Sequence, residues 1–253
     1  MLTGGGAHFD FDSLFDPDDY LYFYEETLAE ENTPGQVDFL TRELRMEAPM
    51  RVLDLGCGHG RHANELASRG YAVVGVDIVQ RFLEIAEREA QARGLPAQFV
   101  LGDIRGLPWE EEFDRAICLF DVLGFFRDEE NAAVLAGAAR ALRPGGMLCV
   151  DVRNRDWMVR NLLPVTVLEK GDDLMIDRHH FDTVTGRLVD RRLLVRDGVV
   201  KRRPFSIRLY TGSELSLMLE AAGLRVLAAF GSYEGAPISM QQNRMVIIAQ
   251  KPG

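Results

Sequence analysis

Apolar runs alternate with amphipathic stretches along residues 51–152. Short runs such as RVLDL are apolar almost throughout, which is typical of parallel strands covered on both faces. Segments such as RFLEIAEREAQARG repeat apolar residues at helical spacing, as a helix with one buried face does. The alternation predicts an α/β fold, a doubly wound and mostly parallel sheet with helices on both faces. LRVLAAF and NRMVIIAQK add two strand patterns near the end of the chain, which brings the predicted sheet to seven strands.

Residues 153–210 show a different pattern, with strand-like runs and no helical period. The runs are interrupted at three turn-like tetrapeptides, KGDD, TVTG and RDGV. We interpret this segment as antiparallel hairpins inserted before the last helix, with Asp197-Gly198 as the strongest turn signal. The sequence therefore divides into three parts: an N-terminal lid at 1–33, an α/β domain at 34–152 and 211–253, and an antiparallel β insert at 153–210 over the substrate site.

Two helix starts carry side chains that favour capping. Thr33 and Gln36 form a Thr-x-x-Gln box at the start of TPGQVDFLTREL, and Thr211 and Glu214 form another before the last helix. Further upstream, the tyrosines of DDYLYFYEE alternate with Leu and Phe. That alternation predicts one packed face and one face that lines the mouth of a site.

The composition allows a large core and limits the classes of partner. The 253 residues are 47% hydrophobic and carry a net charge of −10, which argues against the basic face that broad nucleic-acid binding needs. No apolar run is long enough to predict a membrane span, and MLTGGGAHFDFD lacks the features of a secretory signal. Three cysteines form no paired framework. We therefore expect a cytoplasmic protein.

The candidate chemistry begins where the first predicted strand ends. Asp54 is followed by Gly56, Cys57, Gly58 and a further glycine in DLGCGHG. Glycines let the chain turn sharply and approach a ligand without a Cβ in the way. The helix that follows offers free N–H groups to a ligand carboxylate, and Asp54 is placed to meet a ligand ammonium group.

Acids also end the second and third predicted strands. Asp77 follows Gly56 by about 20 residues, the separation at which an acid accepts both ribose hydroxyls. Asp103 is placed to accept a hydrogen bond from an adenine amino group. The apolar neighbours expected to form the walls and floor of this site are Ile78, Ile104 and Leu119. The predicted ligand is an adenosine that carries an amino-acid group.

These motifs occur in a familiar order across residues 50–152: VLDLGCGHG, GVDI, GDIRGLP, FDRAICLF and LRPGGMLCVDV. The chain thereby resembles the class I S-adenosylmethionine-dependent methyltransferases. The resemblance implies S-adenosylmethionine as methyl donor, S-adenosylhomocysteine as product and no metal. The insert and the tyrosines look like the small-molecule branch, such as sugar N-methyltransferases and glycine N-methyltransferase-like enzymes. That branch implies a small-molecule acceptor methylated at nitrogen.

The catalytic assignments are less tightly constrained by the sequence. In such relatives an N-terminal tyrosine lies near the methyl donor, which makes Tyr20, Tyr22 and Tyr24 candidates here, and we select Tyr20 and Tyr24. His180 is a candidate base in the insert, where neighbouring strand residues point to opposite faces and at most one of His179 and His180 meets a cleft.

Several other interpretations stay open. The glycine loop could bind a nicotinamide dinucleotide, and Cys57, His59 and His62 could suggest zinc, although no fourth ligand is evident. The basic run VKRRPFSIR could serve an RNA methyltransferase acting on tRNA. Alternatively, the protein could bind the adenosyl ligand without turnover. We also expect a homodimer through exposed edges of the insert.

Overall fold

Two β-sheets organise the protein. The computed structural model describes residues 10–28 and 31–253, so the predicted lid at 1–33 is described only in part. The strands are β1 (Arg51–Leu55), β2 (Ala72–Asp77), β3 (Gln98–Leu101), β4 (Phe113–Cys118), β5 (Leu142–Arg153), β6 (Val165–Lys170), β7 (Asp173–Asp182), β8 (Arg187–Arg196), β9 (Val199–Arg208), β10 (Arg225–Phe230) and β11 (Arg244–Gln250). The helices are α1 (Phe11–Leu14), α2 (Pro17–Phe23), α3 (Asn32–Glu43), α4 (Arg61–Ser68), α5 (Gln80–Arg93), α6 (Asp128–Ala141), α7 (Arg155–Asn161) and α8 (Gly212–Ala221), with a 3-10 turn at Ile104–Gly106.

The larger sheet has seven strands in the order β10-β11-β5-β4-β1-β2-β3. Strands β1 to β5 pair in parallel with one another, and β11 pairs antiparallel with both β5 and β10. The predicted fold class is therefore confirmed. The strand order reverses direction at β1, between β2 and β4, and such a switch point leaves a crevice at the carboxyl ends of the strands.

The central strands are buried on both faces, which explains their nearly continuous apolar sequences. In β1, Leu53 belongs to the core cluster on one side of the sheet and Val52 to the cluster on the other. Leu148 and Cys149 of β5 divide in the same way. Successive strand residues point to opposite faces, so only a strand covered on both sides needs apolar residues at every position.

The second sheet has four antiparallel strands in the order β6-β7-β8-β9. The predicted turn at Asp197-Gly198 joins β8 to β9, and both residues have positive φ angles, 50° and 73°. Positive φ at two central positions matches the right-handed twist of a hairpin. The sequence pattern missed helix α7, which precedes these strands and is capped by the Asn154 side chain.

Two further local predictions were wrong. Thr33 lies inside α3 rather than capping it, and both Thr33 and Gln36 direct their side-chain oxygens to Arg61. The tyrosine stretch is helix α2, so Tyr20 and Tyr24 lie one turn apart instead of alternating as on a strand. The Thr211–Glu214 capping box at α8 is confirmed.

Helix α2 is fixed to the four-stranded sheet through Asp19, which is only 3% exposed. Its carboxylate contacts Lys201 at 2.7 Å, Arg203 at 2.9 Å and Arg196 at 3.2 Å. Burial alone would raise the pKa of Asp19, but hydrogen bonds from Lys201 and Arg196 lower it overall. This ion cluster sets the position of the tyrosines on the same helix.

Candidate active site

A cavity lies at the carboxyl ends of β1, β2, β3 and β4; we call it the first cavity. All nine residues predicted to bind the ligand line it, namely Asp54, Gly56, Cys57, Gly58, Asp77, Ile78, Asp103, Ile104 and Leu119. Tyr20 also lines it, whereas Tyr24 and His180 do not. Residues far apart in the sequence converge here because the carboxyl ends of parallel strands share one edge of the sheet.

The glycine loop is held tightly against β2. Gly56 and Cys57 both donate backbone hydrogen bonds to the Val76 carbonyl, at 2.8 and 3.0 Å. A Cβ on Gly56 would lie 2.6 Å from Val122, so close packing requires glycine there. A Cβ on Gly58 would meet nothing within 4 Å, although φ is +53°. Gly58 therefore leaves open space beside the cavity.

Asp54 is a buried acid that forms no direct ion pair among the described residues, although the charge of Arg61 acts on it from a distance. It is 3% exposed, and its Oδ2 has no hydrogen-bond partner among the residues that the structure describes. Burial, together with the neighbouring Asp77, raises the pKa of Asp54 to about 7. An isolated carboxylate is costly to bury. A cationic ligand group beside Asp54 would remove that cost.

Asp77 is held in one orientation by the backbone. Its Oδ2 accepts from Gly58 N–H at 2.8 Å, and its Oδ1 accepts from Val79 N–H at 2.9 Å. Burial raises the pKa of Asp77. Each carboxylate oxygen keeps a further lone pair, so the side chain can still accept two hydroxyl groups from one direction.

Asp103 has a partner that the sequence did not reveal. Both of its oxygens lie 3.0 Å from Arg105 Nε. The hydrogen bond from Arg105 lowers the pKa of Asp103. The predicted adenine contact would have to share this carboxylate with Arg105.

Comparison with known proteins gives a matching family and a related sequence for this chain. The methyltransferase domain family matches residues 52–146. The cypemycin N-terminal methyltransferase of Streptomyces sp. is 31% identical over 208 residues, which cover 79% of this chain and 82% of that protein.

The chain belongs to the class I S-adenosylmethionine-dependent methyltransferases.

Solved structures share the fold of this methyltransferase. An S-adenosylmethionine-dependent methyltransferase from Clostridium acetobutylicum superposes with a TM-score of 0.81 at 18% identity, over 93% of this chain and 99% of that chain. The sugar N-methyltransferase KedS8 from Streptoalloteichus sp. gives 0.67 at 19% identity, over 90% and 92% of the two chains.

The first cavity of the methyltransferase fits S-adenosylmethionine. The unpaired, buried Oδ2 of Asp54 suits the ammonium group of the ligand, and the open space at Gly58 admits its main chain closely. The backbone-held Asp77 suits the ribose hydroxyls.

In the described ranges 10–28 and 31–253 we find no group of three or more His, Cys, Asp or Glu that could hold a metal ion. Within the same ranges, no helix combines the length and apolar character that a bilayer crossing requires.

Sequence reasoning missed Arg61 as a residue of the site. Its Nη1 donates to Gln36 at 2.6 Å, its guanidinium lies 4.3 Å from the centre of the Phe120 ring, and its buried Nη2 has no hydrogen-bond partner in the part of the chain that the structure describes. The guanidinium therefore presents an unpaired N–H in the cavity. Its place as the first residue of the helix after the glycine loop was the available signal.

Burial favours the neutral form of His59 in the loop and of His62 in α4. Burial, with a smaller contribution from Arg61, lowers the pKa of His59 to about 4, and the same causes lower that of His62 well below its ordinary value.

Beyond β4, Phe120 and Asp121 adopt positive φ angles of 56° and 67°. Such strain in residues with side chains clusters at functional sites.

A second cavity lies under the four-stranded sheet. It is lined by Tyr24, Arg153, Met158, Thr166, Val167, Leu168, Met175, Asp177, His179, Asp190, Arg192 and Phe205. His180 is exposed on the opposite face of β7 and lines neither cavity. Its neighbour His179 lines the second cavity, as the alternation of strand residues requires, and the catalytic role predicted for His180 stays a prediction.

Proposed function

We propose that the methyltransferase transfers a methyl group to a nitrogen of a small-molecule acceptor. The observation that supports this most is that the first cavity, where the buried Oδ2 of Asp54 has no hydrogen-bond partner among the described residues, adjoins a second cavity under the insert. Nitrogen is supported by two relatives, one named as an N-terminal methyltransferase and one as a sugar N-methyltransferase.

Each wall of the first cavity would hold a different part of the donor. Asp54 would bind the ammonium group, and Arg61 the carboxylate through its unpaired N–H. Asp77 would accept the ribose hydroxyls. The adenine would lie between apolar walls, with Asp103 near its amino group; these walls are Ile78, Ile104 and Leu119.

When bound, S-adenosylmethionine supplies a methyl group that its sulfonium makes electrophilic. The chain contributes mainly by holding the acceptor in line, which can supply about 7–11 kcal/mol of barrier lowering. Burial raises the pKa of Tyr20 to about 12, so its hydroxyl keeps its proton at neutral pH and does not act as a base. An aromatic face beside a sulfonium adds roughly 0.5–2 kcal/mol of cation–π attraction. A neutral amine acceptor needs no base before attack.

Helices α1 and α2 would form a lid, because Phe11, Phe15 and Tyr20 line the first cavity. We also propose that the insert covers the acceptor site.

The outer strand of the insert, β6, exposes Val165 (49%) and Val167 (52%). We propose that two copies of the chain pair through this edge.

Internal pairing of the basic run weighs against an RNA acceptor. Lys201 and Arg203 contact Asp19, and Arg208 contacts Glu214 at 2.6 Å. Cations already neutralised within the protein release few counterions on binding a phosphate backbone.

The test is transfer of labelled methyl from S-adenosylmethionine to a metabolite extract, with products identified by mass spectrometry. We expect repeated turnover onto a low-mass amine. Transfer confined to RNA or protein would overturn the proposed acceptor class. Donor binding without any transfer would instead favour an adenosyl-ligand sensor.

A further inference from the structure

The inward face of the four-stranded sheet carries charged side chains where apolar ones would be expected. Asp177 pairs with Arg192 across β7 and β8, and His179 lies directly opposite Asp190. Asp190 is in turn opposite Phe205 of β9. Asp177 is 7% exposed and Asp190 only 1%. Burying charge is costly unless each charge is paired, so each pair needs separate inspection.

The pair Asp177–Arg192 is complete. Arg192 Nε donates to one carboxylate oxygen at 2.8 Å, and its Nη2 donates to the other at 2.7 Å. The same Nη2 also donates to the Tyr24 hydroxyl at 2.7 Å. This bidentate geometry leaves no net charge for a ligand to neutralise.

Asp190 is incomplete. Its Oδ2 lies 2.8 Å from His179 Nδ1, but its buried Oδ1 has no hydrogen-bond partner within residues 10–28 and 31–253. The other ring nitrogen of His179 is 3.0 Å from the Thr166 hydroxyl. His179 Nδ1 lies close to the carboxylate but, within the same described residues, forms no hydrogen bond of acceptable geometry, so the contact leaves Asp190 unsatisfied.

Nearby cations are committed elsewhere. Arg203 of β9 contacts Asp19 at 2.9 Å, and Arg153 contacts Asp121 at 2.9 Å. Asp190 Oδ1 therefore offers an unsatisfied acceptor at the wall of the second cavity. Apolar side chains of Met175, Leu168 and Phe205 line the same cavity.

The second cavity adjoins the first through aromatic contacts. Tyr20 lines the first and Tyr24 the second, with ring centres 5.0 Å apart. Phe125 and Phe205 form a similar contact at 6.2 Å. A small molecule in the second cavity would thus lie beside the site proposed for the methyl donor.

We propose that Asp190, whose Oδ2 lies against His179, binds the amino group of the acceptor, while the apolar side chains hold its carbon skeleton. The group enters as an ammonium ion and passes one proton to the Asp190 carboxylate. The lone pair of the neutral nitrogen then attacks the methyl group, and S-adenosylhomocysteine leaves. This inference rests on the proposed function. A buried carboxylate with one empty side favours a cation over a neutral hydroxyl and repels an acid. The acceptor class is therefore a small, partly apolar amine, and carboxylic acids of the same shape are excluded.

Three compounds that share a cyclohexane ring and differ in its substituent test the assignment: cyclohexylamine, cyclohexanol and cyclohexanecarboxylate. Their dissociation constants are measured by NMR titration on the full chain with S-adenosylhomocysteine present. We expect the amine to bind at least tenfold more tightly than the alcohol and the acid not to bind. Asp190→Asn should reduce amine binding at least tenfold, whereas His180→Asn, on the exposed face of the same sheet, should leave it unchanged.

Preference for the acid or the alcohol, amine binding equal in wild type and Asp190→Asn, or no amine binding at all would each overturn the inference. The wild-type ranking of the compounds decides the question even if the variant folds poorly. Calorimetry with S-adenosylhomocysteine is run on the same proteins. Retained binding of that product with failed amine selection refutes the role of Asp190 alone, whereas loss in the wild type refutes the proposed function.

Discussion

Asp54 combines deep burial with an Oδ2 that has no hydrogen-bond partner among the described residues, and these two properties give it a measurable signature. With a pKa of about 7, its carboxyl is mostly protonated at pH 6 in the free protein. A bound ammonium group favours the charged form and lowers the pKa. Donor binding should therefore expel a proton, and affinity should fall as the pH drops below 7.

Proton release on donor binding is the first prediction. At pH 6 the α-amino group of the donor is already protonated, so a proton released on binding comes from the protein. Calorimetry in buffers of different ionisation enthalpy should show close to one proton released by wild type and none by Asp54→Asn. Asp103→Asn serves as control, because the pKa of Asp103 is already low. Equal release by wild type and Asp54→Asn would contradict the role of Asp54.

Gly58 and Gly94 form a natural pair for the second prediction. Both have positive φ, +53° and +63°, and a Cβ on either meets nothing within 4 Å. Valine at either position should cost about 1–2 kcal/mol of stability through backbone strain. Only Gly58→Val should abolish donor binding, since Gly58 lines the first cavity while Gly94 ends α5. Calorimetric binding that survives in Gly58→Val would place the donor elsewhere.

Among the elements, helix α2 contacts both the four-stranded sheet and the first cavity. One of its residues, Asp19, binds cations of the four-stranded sheet, and another, Tyr20, covers the first cavity. Tyr20 also packs edge-on against Phe82 of α5, with ring centres 5.5 Å apart. Motion of this helix would therefore change access to the site.

Asp19→Asn should loosen the helix without touching the cavity. Removing a buried charge leaves Arg203 unpaired, and we expect a loss of up to about 3 kcal/mol, limited because Arg196 and Lys201 can regain water. Limited proteolysis should cut α2 faster, and bound S-adenosylhomocysteine should dissociate faster in stopped-flow measurements. Asp18→Asn, which alters an exposed pair with Arg81, is the control. Unchanged dissociation would show that α2 does not gate the site.

At the scale of the whole molecule, the exposed edge of the insert predicts that two copies of the chain pair. Strand β6 is exposed at every position except Lys170, which is half-buried, and an unpaired apolar edge favours pairing with another strand. Light scattering after size exclusion should give a dimer for wild type and a monomer for Val165→Lys. Val184→Lys, at a hairpin turn with 93% exposure, should remain dimeric. A monomeric wild type would refute the proposed dimer.

Sequence patterns determined the strands of the larger sheet and the edge at which their carboxyl ends meet, although they missed α7 and did not predict α2 as a helix. The apolar runs fixed the strands, because a strand covered on both faces tolerates few polar residues. The glycines of the loop and the acids at Asp77 and Asp103 marked the strand ends that line the first cavity. These signals are local, so the sequence alone carries them.

Only the tertiary structure decided what each polar side chain contacts. Arg105 neutralises Asp103, Gln36 turns from a cap to Arg61, and Asp190 rather than His180 faces the second cavity. Partners of this kind lie on different elements, and a side chain's charge state depends on its burial and neighbours. Sequence spacing does not encode those distances, so the chemistry of the acceptor side appeared only once the sheets were packed.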